Sequence, residues 1–248
     1  MAIEELSSKL EKEELEKRKR YPLLDIVNNR EELADICNNT IEYCREMYKN
    51  LEQLPNVWEL LCRISIETTM QYYKLIDSKK EKGKNVYIKI GEFMTIGIEY
   101  GETNADKLGT FNPIITIGPE LMYYNDDPDK NQLSKVPPVF TTEEQEQFDF
   151  VAKNTQNSLK NYGIIIDSHL AIQEIYTSFL RVMRDWLIKH KDDGEYGVDI
   201  YLGTVLDIGI AKEDTDNGVE YIIQFAPGQS FKFDNAKSDD GSEKESEK

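Results

Sequence analysis

"VDIYLGTVLDIGI", residues 198–210, and "VYIKIGEFMTIGI", residues 86–98, are two versions of one phrase. The fold turns on how it is read. Apolar residues stand at every second position: Val, Ile, Ile, Met, Ile and Ile through 86, 88, 90, 94, 96 and 98, and Val, Ile, Leu, Leu, Ile and Ile through 198, 200, 202, 206, 208 and 210. Strand side chains alternate between faces, so one apolar face survives the whole phrase only in a long bent strand or in a hairpin with an odd loop. The preferred reading is a hairpin whose loop is such as 92–94. The other face is mixed: Tyr87, Lys89, Gly91, Phe93, Thr95, Gly97 and Glu99 in the first version, Asp199, Tyr201, Gly203, Val205, Asp207, Gly209 and Ala211 in the second. All four glycines fall on it. Interior glycine costs roughly 0.5–1 kcal/mol against alanine, so the geometry must require it. A bulge or tight bend at the hairpin ends is one such requirement. Close approach by another backbone or a bound partner is the other.

The repetition extends beyond the strands. Arg20-Tyr21-Pro22 returns as Lys135-Val136-Pro137 and Asn38-Asn39-Thr40 as Lys153-Asn154-Thr155, each 115 residues on. The strand phrase returns at 112, and "IITIGP" (114–119) returns as "IIQFAP" (222–227) at 108. Offsets that shrink stepwise are what loop deletions produce, and Asn217-Gly218 supplies the two-residue hairpin turn of the shorter copy. Four anchors in one order point to a tandem duplication of an α-α-β-β-β unit, forming a pseudo-two-fold pair rather than a solenoid. The expected fold class is α+β, with antiparallel sheet or sheets packed by helices. Residues 1–19 read as a charged helical arm, 20–124 and 135–232 as the two units, 125–134 as a linker, and 233–248 as a disordered acidic tail.

Helical periodicity places the core. Asn29 and Glu32 suit a capping box before a helix whose inward face runs through Leu33, Ile36, Cys37 and Thr40. The next helix, from about Asn56 to Asp77, is apolar nearly all round and should lie between layers. In the second unit Thr141 and Glu144 cap a helix carrying Phe148, Val151, Ala152, Thr155 and Leu159, which Gly163 stops. A helix from about Ser168 to His190 follows, with Ile172, Ile175, Tyr176, Phe179, Met183, Trp186 and Leu187 inward.

The chain of 248 residues has a net charge of −17, of which the tail contributes little. That balance disfavours direct binding to phosphate backbones and to anionic membranes. There is no long apolar run and no leader after Met1, so the expectation is a cytoplasmic protein, or one of host cytoplasm or a virion if viral. Three cysteines, Cys37, Cys44 and Cys62, lack zinc spacing and read as small buried hydrophobes. "DSH" at 167–169 holds the letters of a hydrolytic triad, but adjacent residues cannot converge, and helix capping explains them. G-x-G-x-x-G and P-loop patterns are absent, and "DTDNG" (214–218) fails the calcium-loop spacing.

No cofactor, metal site or catalytic residue is expected from these patterns. The leading expectation is a non-catalytic protein-interaction, structural or assembly factor. It would act through the mixed sheet face and the N-terminal arm on other proteins or on a second copy. Tyr87, Gly91, Gly97, Tyr201, Gly203 and Gly209 are the candidate contact residues, with Tyr100 beside them. Two alternatives remain: an enzyme with a metal or acid-base carboxylate site at Asp199 and Asp207, and an acidic mimic of nucleic acid.

Overall fold

The computed structural model describes residues 30–44, 57–102, 109–122, 139–216 and 218–231. The arm (1–19), the linker (125–134), the tail (233–248), Asn29 of the first capping box and Asn217 of the hairpin turn lie outside them. The fold is α+β. Among the described residues four α-helices, α1 (Arg30–Cys44), α2 (Val57–Lys79), α3 (Thr142–Lys160) and α4 (His169–Lys189), accompany two three-stranded antiparallel sheets. The first sheet has the order β1 (Val86–Ile90), β2 (Met94–Glu102), β3 (Gly109–Ile117); the second has β4 (Gly197–Leu202), β5 (Leu206–Thr215), β6 (Gly218–Pro227). Chain order thus runs α-α-β-β-β and then α-α-β-β-β again, with a 3-10 turn (Pro119–Leu121) after β3.

The repeated phrase is a hairpin in both places. Ile90 pairs with Met94 and Leu202 with Leu206, so the loops are three residues long, 91–93 and 203–205 rather than 92–94. The glycine at the first loop position sets the boundary: Gly91 (φ +50°) and Gly203 (φ +61°) turn left-handed, and Phe93 N–H and Val205 N–H close each turn on the carbonyls of Ile90 and Leu202. Phe93 and Val205 therefore leave the outer face and become buried loop residues. The alternating set Ile88, Ile90, Met94, Ile96 and Ile98 is fully buried, as is Ile200, Leu202, Leu206, Ile208 and Ile210.

The third strands correct one alignment. Ile117 lies opposite Met94, and Pro227 lies opposite Leu206, so equivalent ladder positions are 110 residues apart, not 108. A two-residue slip keeps every side chain on its face, so letter matching cannot detect it. Beyond these strands the same backbone bonds recur. Gly118 N–H reaches Phe93 O and Glu120 N–H reaches Glu92 O; Gly228 N–H reaches Val205 O and Ser230 N–H reaches Thr204 O. Each hairpin loop is thereby tied to the chain leaving its own sheet.

The helices cross between the halves of the chain. α1 packs chiefly on α4 and α3 chiefly on α2, while α2 and α4 meet in the middle and β3 lies against β6. One continuous buried cluster results, centred where Tyr72 of α2 meets Phe148 of α3 edge-on at 5.9 Å and Tyr176 of α4 at 6.4 Å. Thr141 and Glu144 form the expected capping box on α3, and Ser168 caps α4 by accepting from Ala171 N–H at 3.2 Å. His169, set aside as a triad member, meets Gln156 Oε1 at 2.8 Å instead. No helix among the described residues is long and apolar enough to cross a membrane.

Candidate functional site

Among the described residues the outer faces of the two sheets are left uncovered by this packing. On the first, Tyr87 lies across the strand from Gly97 and hydrogen-bonds Glu99 Oε1 at 3.0 Å. A methyl group at Gly97 would stand 2.4 Å from the Tyr87 ring, so the close neighbour that excludes a side chain there belongs to this chain. Lys89 reaches back to Glu144 of α3 at 3.7 Å. With Thr95, Asn112, Ile114 and Thr116 beside them, this face is close to neutral. Tyr100 does not join it: its ring packs edge-on against Phe111 at 5.1 Å on the opposite side of the sheet.

The second outer face has a different character. Asp199 stands opposite Gly209 and takes the space a methyl group would need, at 2.1 Å from Oδ1. Asp207, opposite Tyr201, is the diagonal neighbour of Asp199. Burial, and then the Asp199 charge, push the Asp207 carboxyl above its ordinary value, and Asp199 likewise raises the Tyr201 phenol. The sequence-level pair is thus brought onto one face. Farther along the same face Glu213 lies directly across from Glu220, both exposed. Like charges facing one another across a ladder are destabilising. No lysine or arginine occurs among the residues that β4, β5 and β6 direct outward, whereas Tyr201 (49 % exposed) and Ile222 (40 % exposed) do.

The glycines divide by role. Gly91 and Gly203 make turns, and Gly97 and Gly209 lie under cross-strand side chains. Approach by backbone occurs at glycines that the strand phrase does not contain: Gly194 and Gly197 around the start of β4, and Gly118 and Gly228 past the third strands. A Cβ on Gly118 would lie 2.2 Å from Glu92 O, and one on Gly228 2.4 Å from Thr204 O. The signal was present as a glycine just past each third strand, but the 108-residue alignment had matched Gly118 with Ala226 instead of Gly228.

The inner attachments of the loops are made by the opposite half. Arg181 of α4, almost fully buried, donates to Glu120 Oε1 from Nε at 2.8 Å and lies over the Phe93 ring at 5.0 Å. Arg184 donates to the Glu120 main-chain oxygen at 2.9 Å. Reciprocally, Tyr73 of α2 donates to Val205 O at 2.6 Å and meets the Phe231 ring at a tilt of 34°, centroids 3.7 Å apart. Among the described residues no group of three or more His, Cys, Asp or Glu side chains is placed to hold a metal ion. The Cys37 and Cys62 sulfurs lie 3.7 Å apart in the core. No protein-family model matches the chain, and no curated protein or solved structure matches it either.

Proposed function

We propose that this chain is a non-catalytic interaction protein that receives a basic protein surface on the outer face of β4–β6. The observation that carries the reading is the Glu213–Glu220 pair together with Asp199 beside Asp207, like charges held on an uncovered face that also offers Tyr201 and Ile222. A sheet gains nothing in stability from that arrangement. A cationic partner with apolar contacts would relieve it, and association would be steered by charge and weakened by salt. The same charge disfavours nucleic acid, anionic membranes and a second copy meeting this face to face. In this reading the two halves descend from one duplicated α-α-β-β-β unit related by a pseudo-two-fold axis, and only the second copy has acquired the acidic face. The proposed setting is the cytoplasm, or host cytoplasm or a virion for a viral accessory factor.

The mimicry reading uses this same face, with a nucleic-acid-binding protein as partner. Asp207 and Glu213 are six residues apart on one strand, roughly 20 Å at about 3.3 Å per residue, so the carboxylates follow an extended line. The test is affinity purification with the intact protein beside a Glu213→Lys/Glu220→Lys form and a form lacking residues 1–19. Partners lost at high salt and absent from the charge-reversed form support the reading. Partners retained by that form, or lost only with residues 1–19, overturn it, and release by duplex DNA marks the mimic.

A further inference from the structure

A second feature lies away from the sheet faces, between α1 and the C-terminal end of α4. A cleft of about 590 Å3 is lined there by Asp35 and Asn38 of α1, Trp186 of α4, His190 at its C-terminal cap, Asp193 just beyond it, and Val198 of β4. That volume is within the range of small-molecule sites.

The chain builds it locally. His190 N–H bonds the Trp186 carbonyl at 3.0 Å, and the two rings stack 4.2 Å apart. The following turn, closed by Asp193 N–H on His190 O at 3.0 Å, swings the Asp193 carboxylate back onto His190 Nδ1 at 2.6 Å. A carboxylate on Nδ1 places the proton of the neutral ring on that nitrogen and leaves Nε2 as an acceptor. Yet His190 Nε2 is buried without a hydrogen-bond partner, and so is the indole Nε1–H of Trp186, a residue only 5 % exposed. Buried polar atoms in native proteins are nearly always satisfied. Here one acceptor and one donor, four residues apart at the end of α4 and its cap, remain unmet beside an open cleft. The first half has no such pair, since Lys74 and Ser78 stand 112 residues earlier.

We propose that this cleft binds a small organic cation that carries both N–H donors and an acceptor oxygen, the chemistry of an amino-acid amide or an amino alcohol. His190 Nε2 accepts a ligand N–H, the Trp186 indole donates to the ligand oxygen, and the Asp35 carboxylate, facing across from α1, balances the charge. Asp193 is a positioning residue that holds the imidazole tautomer. Among the described residues no lysine or arginine lines the cleft to oppose a cation. The proposal stands independently of the sheet-face reading.

The test uses isotope-labelled full-length protein, whose two tryptophans give two indole N–H signals, distinguished by Trp58→Phe. Glycinamide and ethanolamine are titrated, with N-acetylglycinamide as neutral control and acetate as anionic control. The expected result is a saturable shift of the Trp186 indole signal with both cations, at least about tenfold weaker binding of N-acetylglycinamide, and a similar loss for glycinamide in Asp35→Asn. Asp35 is half-buried on a helix surface, so this variant keeps the fold. Trp186→Phe, which keeps the ring and removes the donor, gives a second loss measured by calorimetry; if it does not fold, Asp35→Asn decides alone. An unmoved indole signal with every compound overturns the proposal. So does equal binding of the neutral control, or an Asp35→Asn form that binds glycinamide as well as the parent.

Discussion

Tyr73 on α2 donates a 2.6 Å hydrogen bond to the main-chain carbonyl of Val205, in the hairpin loop of the opposite half of the chain. Tyr73→Phe keeps the ring contact with Phe231 and removes one of the two hydrogen bonds that the Val205 carbonyl accepts, leaving that from Gly228 N–H at 2.9 Å. The expected cost is about 0.5–1.5 kcal/mol. A lower urea midpoint with an unchanged slope is the check.

Alkaline pH should unfold the protein through its core tyrosines. Burial raises the Tyr72, Tyr73 and Tyr176 phenols, Tyr176 to about 12. Unfolded tyrosine ionises near about pH 10. Above that pH the unfolded chain releases protons that the folded chain retains, so stability is complete below about 10 and falls as pH rises towards the raised values. Tyrosinate absorbance should appear in step with loss of circular dichroism, and Tyr176→Phe should shift the transition to higher pH.

The glycines make a graded series. At Gly118 and Gly228 an added methyl group meets backbone oxygen, which cannot step aside, so each Ala variant should lose more than about 2 kcal/mol, in the range of other overpacked sites. At Gly97 the obstacle is the half-exposed Tyr87 ring. Gly97→Ala should therefore be substantially rescued by Tyr87→Ala, whereas Gly118→Ala should not be. Thermal melts of the singles and the double decide it.

Removing the carboxylate from Glu120 should cost roughly 3 kcal/mol, because Arg181 is 4 % exposed at its side chain and cannot recover water. The solvent-exposed pair Lys84–Glu81, at a similar 2.8 Å, should yield less than about 1 kcal/mol. Parallel double-mutant cycles give the comparison.

Asp207 works in the opposite sense. Its pKa is raised, first by burial and then by Asp199. The folded state therefore holds the proton more tightly than the unfolded state, and stability declines as pH climbs from the unfolded value through the raised one. Asp207→Asn should be more stable than the parent at neutral pH, with the difference vanishing in acid below about pH 4. Denaturation at two pH values reads this directly.

Periodicity made much of the fold legible. The apolar alternation of 86–98 gave the inner face and the odd loop, and Thr141 with Glu144 gave the start of α3, because both are local rules. The misplacement of 91–93 by one residue and of β6 by two shows the limit: register is settled by pairing partners, which a single strand does not name. The exchange of helices between halves was hidden for the same reason. So was the Trp186–His190–Asp193 cluster: Trp186 read as one more inward apolar residue, and nothing in its spacing revealed an unmet indole N–H. Of the acidic face, Asp199 and Asp207 were visible, but Glu213 and Glu220 needed the ladder to bring them together.

The crossed helices have a consequence for birth on the ribosome. Translation at about 5–20 residues per second completes β3 several seconds before Arg181 and Arg184 are even polymerised. During that interval the first hairpin has its strands but not the clamp that will seat it, and oily surface meant for α3 faces the cell. A chaperone, or speed, has to cover the gap, and a chain cut short after residue 122 would be recognised as unfinished goods.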